Sequence, residues 1–190
     1  FIEKLYNDSK LKKTSKLFEV DYLPKEDIIY WLNNLEKESK IRDYTLTTEQ
    51  IEYVWEHFGG SIWEISTLLG DFLRICKDGK LDDQEMQNIV ERYILQARSY
   101  FEEYVGLKKS RRKLLKTIYN NISKGYFKEA ELEALVEDNV YTEEGLREEL
   151  NNLVRQNYLY YNPTLAEYKL QGKSMELGLQ RYVHELSEHN

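Results

Sequence analysis

A mainly α-helical chain with one small β-hairpin near its end is what this sequence predicts, on three observations. Prolines and glycines, which interrupt helices, number only 2 and 9 in 190 residues. Apolar residues recur at spacings of three and four through most of the chain, the period of a helix with one buried face. The pattern changes only late: Tyr158-Leu159-Tyr160-Tyr161 and Glu167-Tyr168-Lys169-Leu170 are β-prone, and Asn162-Pro163 marks the turn between them.

In chain order, Phe1, Ile2 and Leu5 suit a short helix, and Leu17, Phe18, Val20 and Tyr22 suit one strand. Pro24 starts the next helix, because a first turn has no use for the missing N–H. Ile28, Trp31, Leu32 and Leu35 form its apolar stripe, and it is expected to end near Lys37. Thr47 with Gln50 three residues on is a capping-box pattern, followed by Ile51, Val54, Trp55 and Phe58. Gly59-Gly60 stops that helix. Ser61 with Glu64 repeats the cap, so a helix carrying Ile65, Leu68, Leu69, Phe72 and Leu73 begins almost at once beyond a tight glycine corner. Asp82 and Glu85 cap a longer helix whose inner face runs from Met86, Ile89 and Val90 to Phe101 and Tyr104, ending at Gly106. Beyond Ser110, Leu114, Leu115, Ile118 and Ile122 make one helix, broken around Gly125. Leu132, Leu135 and Val136 make a short second one, and Thr142 starts a third with Leu146, Leu150, Leu153 and Val154 inside. Three helices followed by a hairpin is the order of a winged helix. Ser174 is expected to cap a final helix with Met175, Leu179, Tyr182, Val183 and Leu186 on one face.

Composition removes several classes of function. A hydrophobic content of 41% with 13% aromatics is too rich for a disordered chain. The net charge of −7 and pI near 5.2 oppose a globally basic nucleic-acid binder. The acidity belongs to the first half: residues 1–106 carry 14 Lys and Arg against 21 Asp and Glu, whereas residues 107–190 carry 13 of each. A single cysteine, Cys76, forms no intrachain disulfide and fits a reducing, cytoplasmic setting. No stretch approaches the about 18 to 20 apolar residues that span a bilayer, so no membrane partner is expected.

Catalytic or metal chemistry has no persuasive candidate. His57, His184 and His189 lack partners at zinc-ligand spacing, and Cys76 has no neighbouring histidine. A calcium loop over Arg74 to Glu85 fails because Arg74 and Cys76 would occupy oxygen-ligand positions. No glycine-rich phosphate loop with a Lys occurs, so this chain alone is not expected to hydrolyse a nucleotide. One basic cluster stands out: Lys108, Lys109, Arg111, Arg112, Lys113 and Lys116, without an acidic residue among them. It suits contact with phosphates, and equally a linker and the solvated face of a helix. The third helix, which would enter a major groove, offers Arg147, Asn151, Asn152 and Arg155 against Glu143, Glu144, Glu148 and Glu149. Tyr158, Tyr160, Tyr161 and Tyr168 read either as a contact surface or as a small aromatic core beneath the hairpin.

The order Phe1-Ile2-Glu3-Lys4-Leu5-Tyr6, Leu17-Phe18-Glu19-Val20-Asp21-Tyr22-Leu23-Pro24, Leu46-Thr47 and Phe58-Gly59-Gly60-Ser61-Ile62-Trp63 resembles the C-terminal half of the archaeal-type P-loop ATPases, relatives of the AAA+ and signal-transduction NTPases. Leu153 to Gln171 resembles the winged-helix ending of that family. The resemblance implies a helical lid over residues 1–106 and a winged-helix domain with a C-terminal helix over residues 107–190. The nucleotide base would lie near Gly59, Gly60 and Ile62, where the family usually has Gly-Gly-x-Pro. It also implies an N-terminal ATPase core preceding Phe1 that holds ATP and Mg²⁺, with no cofactor held by this fragment. The expected function is regulatory: coupling nucleotide state to a DNA or protein contact, with Lys108, Lys109, Arg111, Arg112, Lys113, Arg147, Asn151 and Arg155 as candidate nucleic-acid residues. The alternatives are a winged-helix DNA-binding transcriptional regulator and a helical protein-interaction adaptor.

Overall fold

The computed structural model describes residues 22–188. The helix expected at Phe1 to Leu5 and the strand expected at Leu17, Phe18 and Val20 lie outside the described residues. The molecule is mainly helical, with a two-stranded antiparallel sheet. Helices α1 (Lys25–Asn33) and α2 (Leu35–Ser39) replace the one helix predicted there, because Asn34 leaves helical geometry between them. Then follow α3 (Thr48–Phe58), α4 (Ile62–Ile75) and α5 (Asp83–Val105). Their starts are fixed by side-chain caps. Thr47 and Gln50 exchange reciprocal hydrogen bonds at 3.2 and 3.0 Å, and Ser61 and Asp82 accept the N–H groups of Glu64 and Glu85. Gln50 is also buried and donates to Leu81 O at 3.0 Å and Asp83 Oδ1 at 2.7 Å, which ties the start of α3 to the start of α5.

The second half holds α6 (Lys109–Asn121), a 3-10 turn at Ile122–Lys124, another at Glu129–Leu132, α7 (Ala134–Glu137) and α8 (Glu143–Arg155). Strands β1 (Leu159–Asn162) and β2 (Glu167–Leu170) pair antiparallel with Leu159 opposite Leu170 and Asn162 opposite Glu167. Asn162 turns the chain by accepting the N–H groups of Thr164 and Leu165 at 3.0 and 3.2 Å. The hairpin has a further partner that the sequence pattern did not reveal. Phe127 exchanges both backbone hydrogen bonds with Tyr168 at 2.8 Å, and its buried ring stacks on that of Tyr168. Helix α9 (Lys173–Glu188) ends the described chain.

Apolar side chains form two clusters, and these divide inside α5 rather than at the 106/107 boundary expected from Gly106. Met86, Ile89, Val90 and Ile94 join the cluster built from α1 to α4; Ala97, Phe101, Tyr104 and Val105 join the cluster beneath α6, α8 and the hairpin. At 23 residues and about 35 Å, α5 is long enough to serve both. Helix α9 lies along it. A Cβ on Gly178 would fall 2.6 Å from the Ala97 Cβ, so the two backbones meet with no room for a larger residue. Arg98 with Glu185 and Arg181 with Glu91 brace the same seam.

One polar node locks the second cluster. Glu149 of α8 accepts from the Tyr104 hydroxyl at 2.8 Å and from Arg111 Nε at 3.0 Å; Arg111 also donates to Tyr104 O at 2.9 Å and lies over the Tyr104 ring. Three helices, α5, α6 and α8, are thereby held at one point.

Candidate functional site

The corner between α3 and α4 is built from two glycines with different duties. Gly59 adopts φ 54°, ψ −137°, a conformation that only glycine takes without strain, while its N–H closes α3 on Trp55 O at 2.8 Å. Gly60 lies against the chain before α1. Its carbonyl accepts Leu23 N–H at 3.0 Å, and a Cβ there would sit 2.0 Å from Leu23 O. Ser61 then begins α4, which puts Ile62 at the first helical position and Trp63 beside it; Trp63 is 77% exposed.

This corner opens into a cleft of about 1210 Å³. One wall is the exposed side of α4, including Trp63 and Asp71; a second is α5, with Arg92, Tyr93 and Tyr100; the third is the hairpin, with Tyr158, Tyr160 and Lys169. The walls are braced from within. Tyr93 donates to Asp71 at 2.9 Å, and burial together with that carboxylate pushes its hydroxyl pKa up to about 12. Tyr158 stacks on Tyr100 and donates to its carbonyl at 3.2 Å, and the Lys169 ammonium lies over the rings of Tyr22 and Tyr160. Tyr168 and the partly buried Tyr158 pack into the aromatic core, and Tyr158 and Tyr160 both line the cleft.

Glu64 also lines the cleft, and its sequence pattern identifies it only as a capping residue. It is 8% exposed, its Oε1 accepts the Ser174 hydroxyl of α9, and its Oε2 is buried without a hydrogen-bond partner beside Gly172. Ser174 was expected to cap α9; instead that helix begins one residue earlier and the hydroxyl is spent on Glu64. Burial raises the Glu64 pKa, and the hydrogen bonds from Ser174 and Ser61 only partly oppose it. A carboxyl with a raised folded-state pKa contributes stability below its unfolded value, which is lost as pH rises through the folded one. Glu64→Gln is therefore expected to raise the melting temperature at neutral pH and to leave it unchanged near pH 4, a range checked by thermal unfolding across pH.

Ile62 carries a second expectation. Its N–H makes no intrahelical bond at the first helical position, and Ser61 is extended at ψ 96°, as a residue before proline must be. Ile62→Pro is thus expected to be tolerated, with stability changing by less than about 1 kcal/mol in denaturant titration.

The candidate nucleic-acid residues are not brought to one surface. Arg111 is committed to Glu149 and Tyr104, with its side chain only 20% exposed, and Lys108 approaches Glu149 at 3.7 Å. Arg147, Asn151 and Arg155 do share the exposed face of α8, as the sequence spacing requires. Arg147, however, is held by Glu129 at 2.7 Å and Arg155 by Asn152, and Glu144 and Glu148 lie on the same face. Lys109, Arg112 and Lys113 are exposed on α6. His57 donates from Nδ1 to Tyr53 O at 2.8 Å, and His184 meets the Tyr119 hydroxyl at 3.1 Å. His189 lies outside the described residues. No helix among the described residues is long and apolar enough to cross a membrane.

No protein-family model matches the chain, and no curated protein matches it.

Proposed function

We propose that this chain is the lid and winged-helix portion of an archaeal-type P-loop ATPase, and that it relays nucleotide state to a partner of the winged helix. The observation that carries this reading is the shared cleft: Gly60, Ser61 and Ile62 of the corner and the hairpin line one space, so a nucleotide at the corner lies between the two halves. A cleft of about 1210 Å³ has room for a nucleotide, since ligand sites commonly measure about 300–1,000 Å³. Ile62 and Trp63 stand exposed at its rim and offer an apolar and a π surface for a base. The phosphate loop and the carboxylates that place Mg²⁺ belong to the core preceding Phe1.

Support for the winged-helix part comes from the order α6, α7, α8, β1, β2 and from the single-residue bridge of Phe127 to Tyr168, which sets the chain between α6 and α7 against the hairpin. Nucleotide moves the second half only by contacting its two positions differently. The rigid seam of α5 and α9 then carries a shift at the corner to α6 and α8.

Turnover assays test the assignment. The natural polypeptide, with the residues upstream of Phe1, is expected to contain a glycine-rich phosphate loop and to hydrolyse ATP, and the 190-residue chain alone is expected to have no turnover. A polypeptide without such a loop, or turnover by this chain alone, overturns the proposal.

A further inference from the structure

Surface cations in this acidic chain are mostly held by carboxylates: Lys25 by Glu52, Lys128 by Glu167, Arg147 by Glu129 and Arg181 by Glu91. The outer face of α6 departs from that habit. Lys109, Arg112, Lys113 and Lys116 fall at spacings of three and four, so they form one exposed stripe, and among the described residues none of them is paired with a carboxylate. The Arg112 guanidinium lies beside the Tyr182 hydroxyl, which carries no charge to neutralise it.

The stripe works against its own helix. Like charges three and four residues apart repel. The first turn, where Lys109 and Arg112 stand, is also the positive end of the helix dipole, and it contains no acidic residue. Helices α3, α4, α5 and α8 all begin with a capping side chain, whereas Lys108 supplies none. Cations set against one another and against the helix dipole are a local conflict of the kind that binding surfaces carry.

We propose that this stripe binds the phosphate backbone of duplex nucleic acid without reading its sequence, and that α6, not α8, is the docking helix. From Lys109 to Lys116 the cations extend over about 10 Å at 1.5 Å per residue. That length spans about three steps between successive phosphates of one strand at about 3.4 Å of axial rise each, so the four cations can meet four phosphates. The stripe holds no apolar side chain, because Leu114, Leu115 and Ile118 are buried on the opposite face. Leu107, exposed ahead of the helix, adds a single apolar side chain and not the apolar face that a bilayer surface or a protein pocket requires. On α8, by contrast, Glu143, Glu144 and Glu148 repel phosphates, and Arg147 and Arg155 are already engaged. This inference rests on the charge of α6 and not on the ATPase reading, so either can fail alone.

Fluorescence anisotropy with two duplexes of unrelated sequence tests it. The 190-residue chain is expected to bind both equally and to lose roughly a hundredfold in affinity between about 50 and 200 mM salt, from a slope of about −0.9 per phosphate over four contacts. Lys109→Gln, Lys113→Gln and Lys116→Gln together are expected to cut binding at least tenfold at low salt and to reduce that salt loss to about threefold. Their melting temperature stays level or rises, because repulsion is removed. Arg147→Gln with Arg155→Gln leaves binding unchanged. Absence of duplex binding at low salt overturns the inference. So does an unaltered salt dependence in the folded triple variant, a loss caused by Arg155→Gln, or binding confined to anionic vesicles or to an acidic peptide.

Discussion

Gly60→Ala is expected to lower stability by about 3 kcal/mol, which denaturant titration will measure. The added Cβ would stand 2.0 Å from Leu23 O, 2.6 Å from Leu23 N and 2.9 Å from Leu23 C, so backbone and not a flexible side chain must yield. Overpacking of this kind costs about 1–3 kcal/mol. Moving the two segments apart also breaks the 3.0 Å bond from Leu23 N–H to Gly60 O, worth about 1 kcal/mol. Gly70, in the middle of α4, has nothing within 4 Å of a built Cβ and is the natural control. Gly70→Ala is expected to stabilise by up to about 1 kcal/mol through helix propensity alone. Equal effects at the two sites would show that the corner is not tightly packed on Leu23.

Glu149→Ala is expected to cost about 3–5 kcal/mol, the usual effect of removing one partner from a buried ion pair. Its side chain is 11% exposed and that of Arg111 20%, so the guanidinium and the Tyr104 hydroxyl are left to face an apolar interior. Burial works to raise the Glu149 pKa, but the hydrogen bonds from Arg111 and Tyr104 and the charges of Arg111 and Lys108 outweigh it and hold the group below the ordinary carboxylate range. The pH dependence is therefore opposite in sign to that of Glu64. A carboxylate with a lowered folded-state pKa contributes stability above its unfolded value, and this is lost as pH falls through the folded one. The advantage of the wild-type chain over Glu149→Gln is expected to be full at pH 7 and to shrink as pH drops below about 4, where unfolded carboxyls begin to protonate. An advantage independent of pH would contradict the ion-pair account.

What the sequence made legible was local. Thr47 with Gln50, Ser61, Asp82 and Thr142 announce helix starts because a cap and its target N–H lie three residues apart. The hairpin follows from a period of two around Asn162-Pro163. What it hid was set by distant partners. Arg111 read as one free cation of a basic run, because nothing near it identifies Glu149, 38 residues on, as its counter-charge. Ser174 read as a cap, because Glu64 lies 110 residues away. The Phe127 bridge is a single residue long and has no periodicity to detect. Gly106 looked like a boundary, yet the apolar pattern of α5 runs without a break from Ile94 to Ala97, where the two clusters meet.

The candidate site residues follow the same division. The glycine corner was visible as a helix stop, but the cleft it opens into depends on the hairpin folding back across α5, a contact between residues such as Tyr100 and Tyr158. Tyr160 and Lys169 could not be assigned to that cleft from spacing, since the two strands reach it only through their pairing.

Hydrogen–deuterium exchange of the natural polypeptide with and without ATP tests the central claim most directly. Protection is expected to rise together in residues 60–64 and 158–171, because corner and hairpin line the same cleft. Bound ATP that alters neither segment, or that protects the corner while the hairpin exchanges as before, would contradict the relay.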